Sequence, residues 1–259
     1  MSGKTSLMLG MVDKILNENQ KELVFWREPI ANPIQFDKLE HDYQVLTEKT
    51  YPLEVYEIQD GEPLIKTNHL KIRKFRGVRE LISMAKPGML NVVYLKELFK
   101  WVDLIEILKQ DGGWQSIFLD EGEDVFPLRA KEKQWYANER FSNTAKEIRK
   151  ARINLCYNTQ SPLDIDWRIR TKIMVWFFLR GSRGDKYSPV YTGAIHNLEE
   201  GQGYVDLAHT KFGLVRFKPY YPRVKEYIVL PKNRNSPEIP PSLKITCLLY
   251  TSPSPRDRS

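Results

Sequence analysis

Trp114-Gln115-Ser116-Ile117-Phe118-Leu119-Asp120-Glu121 is the stretch on which the reading of this chain turns. A short apolar run that ends in two adjacent acids reads as a buried strand delivering both carboxylates to one edge of a sheet. Acids in that place have a chemical use. Asp120 suits a hard cation such as Mg2+, held through its water shell, and Glu121 suits the proton acceptor that polarises an attacking water. The pair is a weak signal alone, because apolar strands often end in Asp or Glu. Segments on either side strengthen it.

Upstream, the chain opens Met1-Ser2-Gly3-Lys4-Thr5-Ser6, which matches the second half of a phosphate-binding loop, G-x-x-x-x-G-K-S/T. Backbone N–H groups of Gly3, Lys4, Thr5 and Ser6 would cradle phosphate oxygens. Lys4 would reach the β- and γ-phosphates of ATP, and the Thr5 hydroxyl would join Asp120 on Mg2+. The motif demands a helix next, and Leu7, Met8, Met11, Val12, Ile15 and Leu16 recur at helical spacing, followed by a strand at Leu23-Val24-Phe25-Trp26. The first glycine of the motif and the strand before it would fall ahead of residue 1. On that expectation the polypeptide binds ATP poorly until extended upstream. The competing explanation is a chance Gly-Lys-Thr at a flexible terminus.

Downstream, Ile153-Asn154-Leu155-Cys156-Tyr157-Asn158-Thr159-Gln160 is a second short strand, and it ends on a polar amide. Together with the preceding Ala145-Lys146-Glu147-Ile148-Arg149-Lys150-Ala151-Arg152 and the following Ser161-Pro162, this segment resembles the FtsK/HerA superfamily of P-loop ATPases. The run Asp120-Glu121-Gly122-Glu123-Asp124-Val125-Phe126-Pro127-Leu128-Arg129 is most similar to the zonula occludens toxin (Zot) branch. The resemblance spans about residues 1–185. It implies a parallel-sheet α/β fold of the additional-strand (RecA-like) class, lacking its first strand here and carrying a small β-rich extension. It also implies that the 153–160 strand lies between the loop strand and the Asp120 strand. Gln160 would then sense the γ-phosphate, and Arg149, ahead of that strand, would serve as an arginine finger toward a neighbouring subunit. Arg152 is a weaker candidate for the finger.

Composition sets the class. A chain of 259 residues with 41% hydrophobic residues is long enough for one full α/β core with an appendage. Its longest apolar run, Ile173 to Leu179, is too short to span a bilayer and reads as a core strand. The opening helix is amphipathic rather than continuously apolar, unlike a secretory signal. Four histidines and two cysteines show no metal-ligand spacing, and Cys156 in an apolar strand fits a reducing interior, hence a cytoplasmic protein; the Zot-like resemblance implies a place at the inner face of a membrane as the other possibility. Net charge of +7 permits DNA as a partner without requiring it.

Elsewhere, Leu53 to Ile58 alternates like a half-exposed strand before an Asp60-Gly61 turn. Lys66, Lys71, Arg73, Lys74, Arg76 and Arg79 surround Phe75 as either a DNA-phosphate patch or a solvated face. Met89 to Leu95 reads as a strand, and Leu98, Phe99, Val102, Ile105 and Leu108 as the core stripe of a helix. Residues 131–152 read as a polar helix with Trp135, Tyr136 and Phe141 on one side. The expected domains are an ATPase core at 1–185, a β-rich extension at 186–230 with strands at 203–207 and 213–219, and a linker at 231–246. Residues 247–259 resemble a translated sequencing adapter, so they are set apart from the fold.

The resemblance implies an ATP-hydrolysing motor subunit of a viral or mobile-element DNA translocation, packaging or phage-morphogenesis machine. Such subunits form rings, often hexameric, and Zot-like members carry a membrane segment after the ATPase domain. The alternative is a nucleotide-binding scaffold or regulator that hydrolyses slowly and moves no DNA.

Overall fold

Strands that are apolar over their whole length need cover on both faces, and parallel sheets between helices supply it. The computed structural model describes residues 3–30, 32–34, 36, 39–59, 65–67, 70–148, 150–180, 182, 192–207, 211–217 and 225–232. Helix α1 (Lys4–Glu18) leads to β1 (Leu23–Arg27), β2 (Pro33–Ile34), β3 (Tyr43–Glu48), β4 (Leu53–Gln59), β5 (Ile65–Lys66) and β6 (Ile72–Phe75). Next come α2 (Val78–Met84), β7 (Leu90–Tyr94), α3 (Lys100–Asp111), β8 (Gln115–Leu119), α4 (Gly122–Val125), α5 (Glu132–Ile148) and β9 (Ile153–Tyr157). A short 3-10 turn (Pro162–Asp164) precedes α6 (Trp167–Arg170), β10 (Val175–Leu179), α7 (Thr192–His196), β11 (Gln202–Leu207), β12 (Lys211–Arg216) and β13 (Lys225–Pro231).

Six strands form the central sheet in the order β6-β3-β7-β1-β8-β9. Every pairing in it is parallel. The acid strand β8 lies between β1 and β9, with Ser116 opposite Asn154 and Leu119 opposite Tyr157. The pairing of the 153–160 segment with the Asp120 strand is the part of the position implied by the resemblance that the described residues show. Among the described residues, no strand pairs with the outer edge of β9.

Helical periodicity decides which layer covers which face. On one side, Met8, Leu9, Val12 and Leu16 of α1 pack with Val24, Trp26, Val92 and Phe118. On the other, Trp101, Val102, Leu104, Ile105 and Leu108 of α3 join Ala137, Phe141 and Ile148 of α5 against Phe25, Ile117 and Leu119. Helix α3 stops at Gly112, whose φ of 68° places it in the left-handed region that a glycine adopts at little cost.

Two smaller sheets flank this core. Strand β13 pairs antiparallel with β4 over seven residues, from Lys225 opposite Gln59 to Pro231 opposite Leu53. The late chain segment thus returns to the first third of the molecule, and Val55 and Val229 join the core beneath α1. Strands β11 and β12, near the expected 203–207 and 213–219, form a hairpin and add to β10 in an antiparallel sheet of three.

Two expectations need correction. The apolar run Ile173 to Leu179 is not a strand of the main core. Its Met174 and Val175 are exposed, and only Phe178 and Leu179 are buried, because β10 is covered on one face by a small cluster with Ile195 and Leu198. Nor do Trp135, Tyr136 and Phe141 share a side. At about 100° per residue, Phe141 stands roughly 140° round the helix from Tyr136. Phe141 is buried, whereas Trp135 and Tyr136 are exposed. Arg149, the Asp60-Gly61 turn, most of the 231–246 segment and the adapter-like tail lie outside the described residues. Among the described residues, no helix is long and apolar enough to cross a membrane.

Candidate nucleotide site

Parallel strands finish at one edge, so β1, β8 and β9 bring their C-terminal ends together, and α1 starts beside them. A cleft of about 630 Å³ opens there, lined by Lys4, Thr5, Asp120, Glu121, Asn158 and Gln160 among others. The Thr5 hydroxyl donates to Asp120 Oδ2 at 3.4 Å across 115 residues of sequence. Lys4 Nζ donates to the Thr159 carbonyl at 3.2 Å, just ahead of Gln160. Gly3 precedes α1 with φ of 72°, in the left-handed region. Ser6, the third residue of the helix, is buried. The Gln160 backbone N–H donates to Glu123 Oε1 at 3.2 Å, which ties the end of the β9 segment to the helix after the acids. Arg152 lies at the opposite, N-terminal end of β9, with its guanidinium 5.7 Å from the Trp114 ring centroid.

The turn that carries the acids is held from two sides. Glu121 has φ 54° and ψ 61°, a left-handed conformation that costs a non-glycine residue about 1–2 kcal/mol. From β9, the Asn158 amide donates to Asp120 Oδ1 and accepts from the Glu121 N–H at 2.9 Å. The Gly122 N–H donates to the Asn158 carbonyl at 2.7 Å. From β1, Arg27 donates to the Asp120 carbonyl, to the Glu121 carbonyl at 2.9 Å and to Asp124 Oδ2 at 2.7 Å. Gly122 must be small, since a Cβ there would meet Tyr157 Cβ and Cδ2 at 2.8 Å.

Burial sets the electrostatics. Asp120 is 5% exposed, and desolvation raises its pKa against the opposing pull of the Asn158 hydrogen bond and the Arg27 charge. Glu121 is raised for the same first reason, with repulsion from Asp120 and Asp124 added. Desolvation lowers the pKa of Lys4, while Glu123, Asp120 and Glu121 hold its charge in place. One further acid, Glu28, sits buried past the end of β1 and accepts from Trp26 Nε1 at 2.7 Å. Burial raises its pKa well above the ordinary carboxylate value, and the neighbouring Asp120 adds to the rise.

The sequence reading named Lys4, Thr5, Asp120, Glu121 and Gln160, and the fold brings all five to one cleft. It passed over Arg27, Glu28 and Asn158. A charged Arg-Glu pair directly after the apolar Leu23 to Trp26 run was the available signal for the first two. Asn158 gave none beyond its place at a strand end. The donors suit Mg2+: a hydroxyl and a carboxylate 3.4 Å apart are hard oxygen ligands. Among the described residues, no cluster of three or more His, Cys, Asp or Glu could hold a metal ion by itself.

A helix opening on Gly-Lys-Thr, an acid-ended strand and a polar-ended strand beside it, all at one sheet edge, define the P-loop NTPase fold of the additional-strand class. Solved structures agree. The chain is similar to the genome-packaging NTPase B204 of Sulfolobus turreted icosahedral virus 2 in complex with ATP-gammaS, with a TM-score of 0.53 at 12% identity, over 83% of this chain and 92% of that one. For the sulfate complex of B204 the TM-score is 0.54 at 11% identity, over 83% and 90% of the two chains. The AMPPCP complex matches at 0.51 and 12% identity, over 83% and 92%. No family model and no curated protein matches the chain.

Proposed function

We propose that the protein is an ATP-hydrolysing motor subunit of a viral or mobile-element machine that moves or packages DNA. The observation that carries this reading is the 3.4 Å contact between the Thr5 hydroxyl and the Asp120 carboxylate, with Lys4 and Glu121 in the same cleft. The solved neighbours support it as packaging NTPases captured with ATP analogues. In this reading Lys4 binds the β- and γ-phosphates, and the N–H groups of Gly3, Lys4, Thr5 and Ser6 cradle phosphate oxygens. Thr5 and Asp120 would hold Mg2+, which when bound offsets the negative charge of the phosphates. Glu121 accepts a proton from the attacking water, and Gln160 orients that water against the γ-phosphate. Asn158 keeps the two acids in register with the Gln160 strand. Arg149 is the finger that reaches a neighbouring subunit, and the assembly is a ring around DNA, often a hexamer in such machines. A Zot-like place in phage morphogenesis, at the inner face of a membrane, is the finer form of the same proposal.

The test uses the full chain. Glu121→Gln is expected to bind ATP and Mg2+ like the wild type but to lose turnover by about 100-fold or more, since the amide accepts no proton. Asp120→Asn is expected to weaken Mg2+ dependence as well. Hydrolysis by Glu121→Gln at the wild-type rate sinks the assignment. Nucleotide binding without DNA-stimulated turnover points instead to a scaffold or regulator.

A further inference from the structure

A buried arginine outside the nucleotide motifs binds the turn that carries the acid pair. Arg27 closes β1, next to the acid strand, with Leu119 directly opposite it. Its side chain is 7% exposed, a rare state for a charge in a protein interior without fixed partners. Its partners are main-chain atoms of the turn itself. One guanidinium nitrogen donates to two successive carbonyls, those of Asp120 and Glu121, and the other donates to Asp124 at 2.7 Å in the first turn of α4. On the opposite side of the turn, the N–H groups of Glu121 and Gly122 both point to Asn158. The two peptide groups flanking Glu121 are therefore gripped by their oxygens from β1 and by their nitrogens from β9. Between these grips Glu121 adopts left-handed φ and ψ, which a glutamate leaves readily once its neighbours no longer enforce them.

We propose that Arg27 is a positioning residue for catalysis: by binding the Asp120 and Glu121 carbonyls together, it holds Glu121 in the left-handed conformation that presents its carboxylate to the cleft. Arg27 is not among the residues that line the cleft; it acts through the backbone of the turn, and its charge also favours the ionised forms of Asp120 and Glu121. The inference rests on the assignment of Glu121 as the base. A planar fork is needed, because the three acceptors lie along the turn and into α4, and a lysine ammonium is a point charge on a flexible stem. The Asp124 ion pair is secondary, since Asp124 itself is 47% exposed.

The experiment compares Arg27→Lys, Arg27→Gln, Asp124→Asn and Glu121→Gln with the wild type, all in the full chain. Equilibrium binding of a fluorescent ATP analogue, kcat and KM are measured for each, with thermal unfolding recorded first. Arg27→Lys is expected to lower kcat by about 10- to 100-fold, the scale of a misplaced catalytic group, while KM and ATP affinity stay within about two-fold. Asp124→Asn, which leaves both carbonyl bonds in place, is expected to keep kcat within about two-fold. Should Arg27→Lys lose its cooperative unfolding, Arg27→Gln is read in its place against the same limits. Wild-type kcat in the folded Arg27 variant overturns the proposal, as does a raised KM at unchanged kcat. If that result comes with an inactive Glu121→Gln, the positioning role fails alone. If the wild type hydrolyses no ATP, or Glu121→Gln remains active, the assignment of the base fails and this inference with it.

Discussion

Replacing Gly122 by alanine sets two effects of opposite sign against each other. Gly122 is the first residue of α4, and Gly→Ala within a helix ordinarily stabilises by about 0.5–1 kcal/mol. Here the added methyl would lie 2.8 Å from both Cβ and Cδ2 of Tyr157 and 3.0 Å from its Cγ. Carbon contacts are comfortable at about 3.5–4.0 Å, so the overlap is roughly 0.7 Å. Tyr157 cannot retreat easily. Its Cβ is fixed to β9, which is in register with β8, and its ring packs edge-on against Phe126 at 6.0 Å between centroids. The Gly122 N–H is also bonded to the Asn158 carbonyl at 2.7 Å, so the turn cannot lift away without losing that bond. Overpacking of this kind costs about 1–3 kcal/mol, which exceeds the helical gain. A net loss of about 1–2 kcal/mol lowers the melting midpoint by roughly 2–8 °C in a chain of this size. Circular dichroism on heating measures it directly. A midpoint equal to or above that of the wild type would show that helix propensity wins and that the turn and β9 are not packed as described.

Asn158→Ala removes a donor from Asp120 and leaves the Glu121 N–H without its acceptor; a loss of about 1–3 kcal/mol in urea unfolding is expected, and less than half a kcal/mol would refute the bridging role. Glu28→Gln tests the buried acid through pH. Because its folded pKa lies above the unfolded value, the native state binds the extra proton between the two, and that part of stability falls as pH rises through the window. The variant should therefore gain on the wild type as pH rises above the ordinary glutamate range of about 4–5 and differ little below about pH 4; a difference independent of pH would contradict the shift. Lys4→Ala should weaken ATP binding by about ten-fold or more while leaving the melting midpoint nearly unchanged, since its hydrogen bond to the Thr159 carbonyl is only part-buried.

The local signals belong to short stretches, and those were readable. Asp120-Glu121 after an apolar run, Gly-Lys-Thr before an amphipathic helix, and a strand ending in Gln160 each follow from residue type and spacing. The family resemblance they carry implied a parallel sheet in which the acid strand and the strand ending at Gln160 are adjacent, and the two do pair. The same local logic failed where an apolar run did not reveal its cover. Val175 to Leu179 has the composition of a core strand, yet it lies in a three-stranded antiparallel sheet with one end in solvent. Strand β13 is another case, because its alternation says nothing of the partner it finds in β4, more than 160 residues earlier.

What the sequence determined by itself is the inventory of chemistry and the edge at which it must gather: strands of a parallel sheet all end on the same side. Tertiary structure alone decided how the acids are held. Arg27 reaches Asp120 across 93 residues and Asn158 reaches it across 38. Those contacts exist because β1 and β9 flank β8 in the sheet, and no periodicity within either strand encodes its neighbour. The left-handed turn at Glu121 has the same origin. An isolated glutamate would relax from that conformation, and it persists only where a guanidinium and an amide from two other strands bind the peptide groups on either side of it.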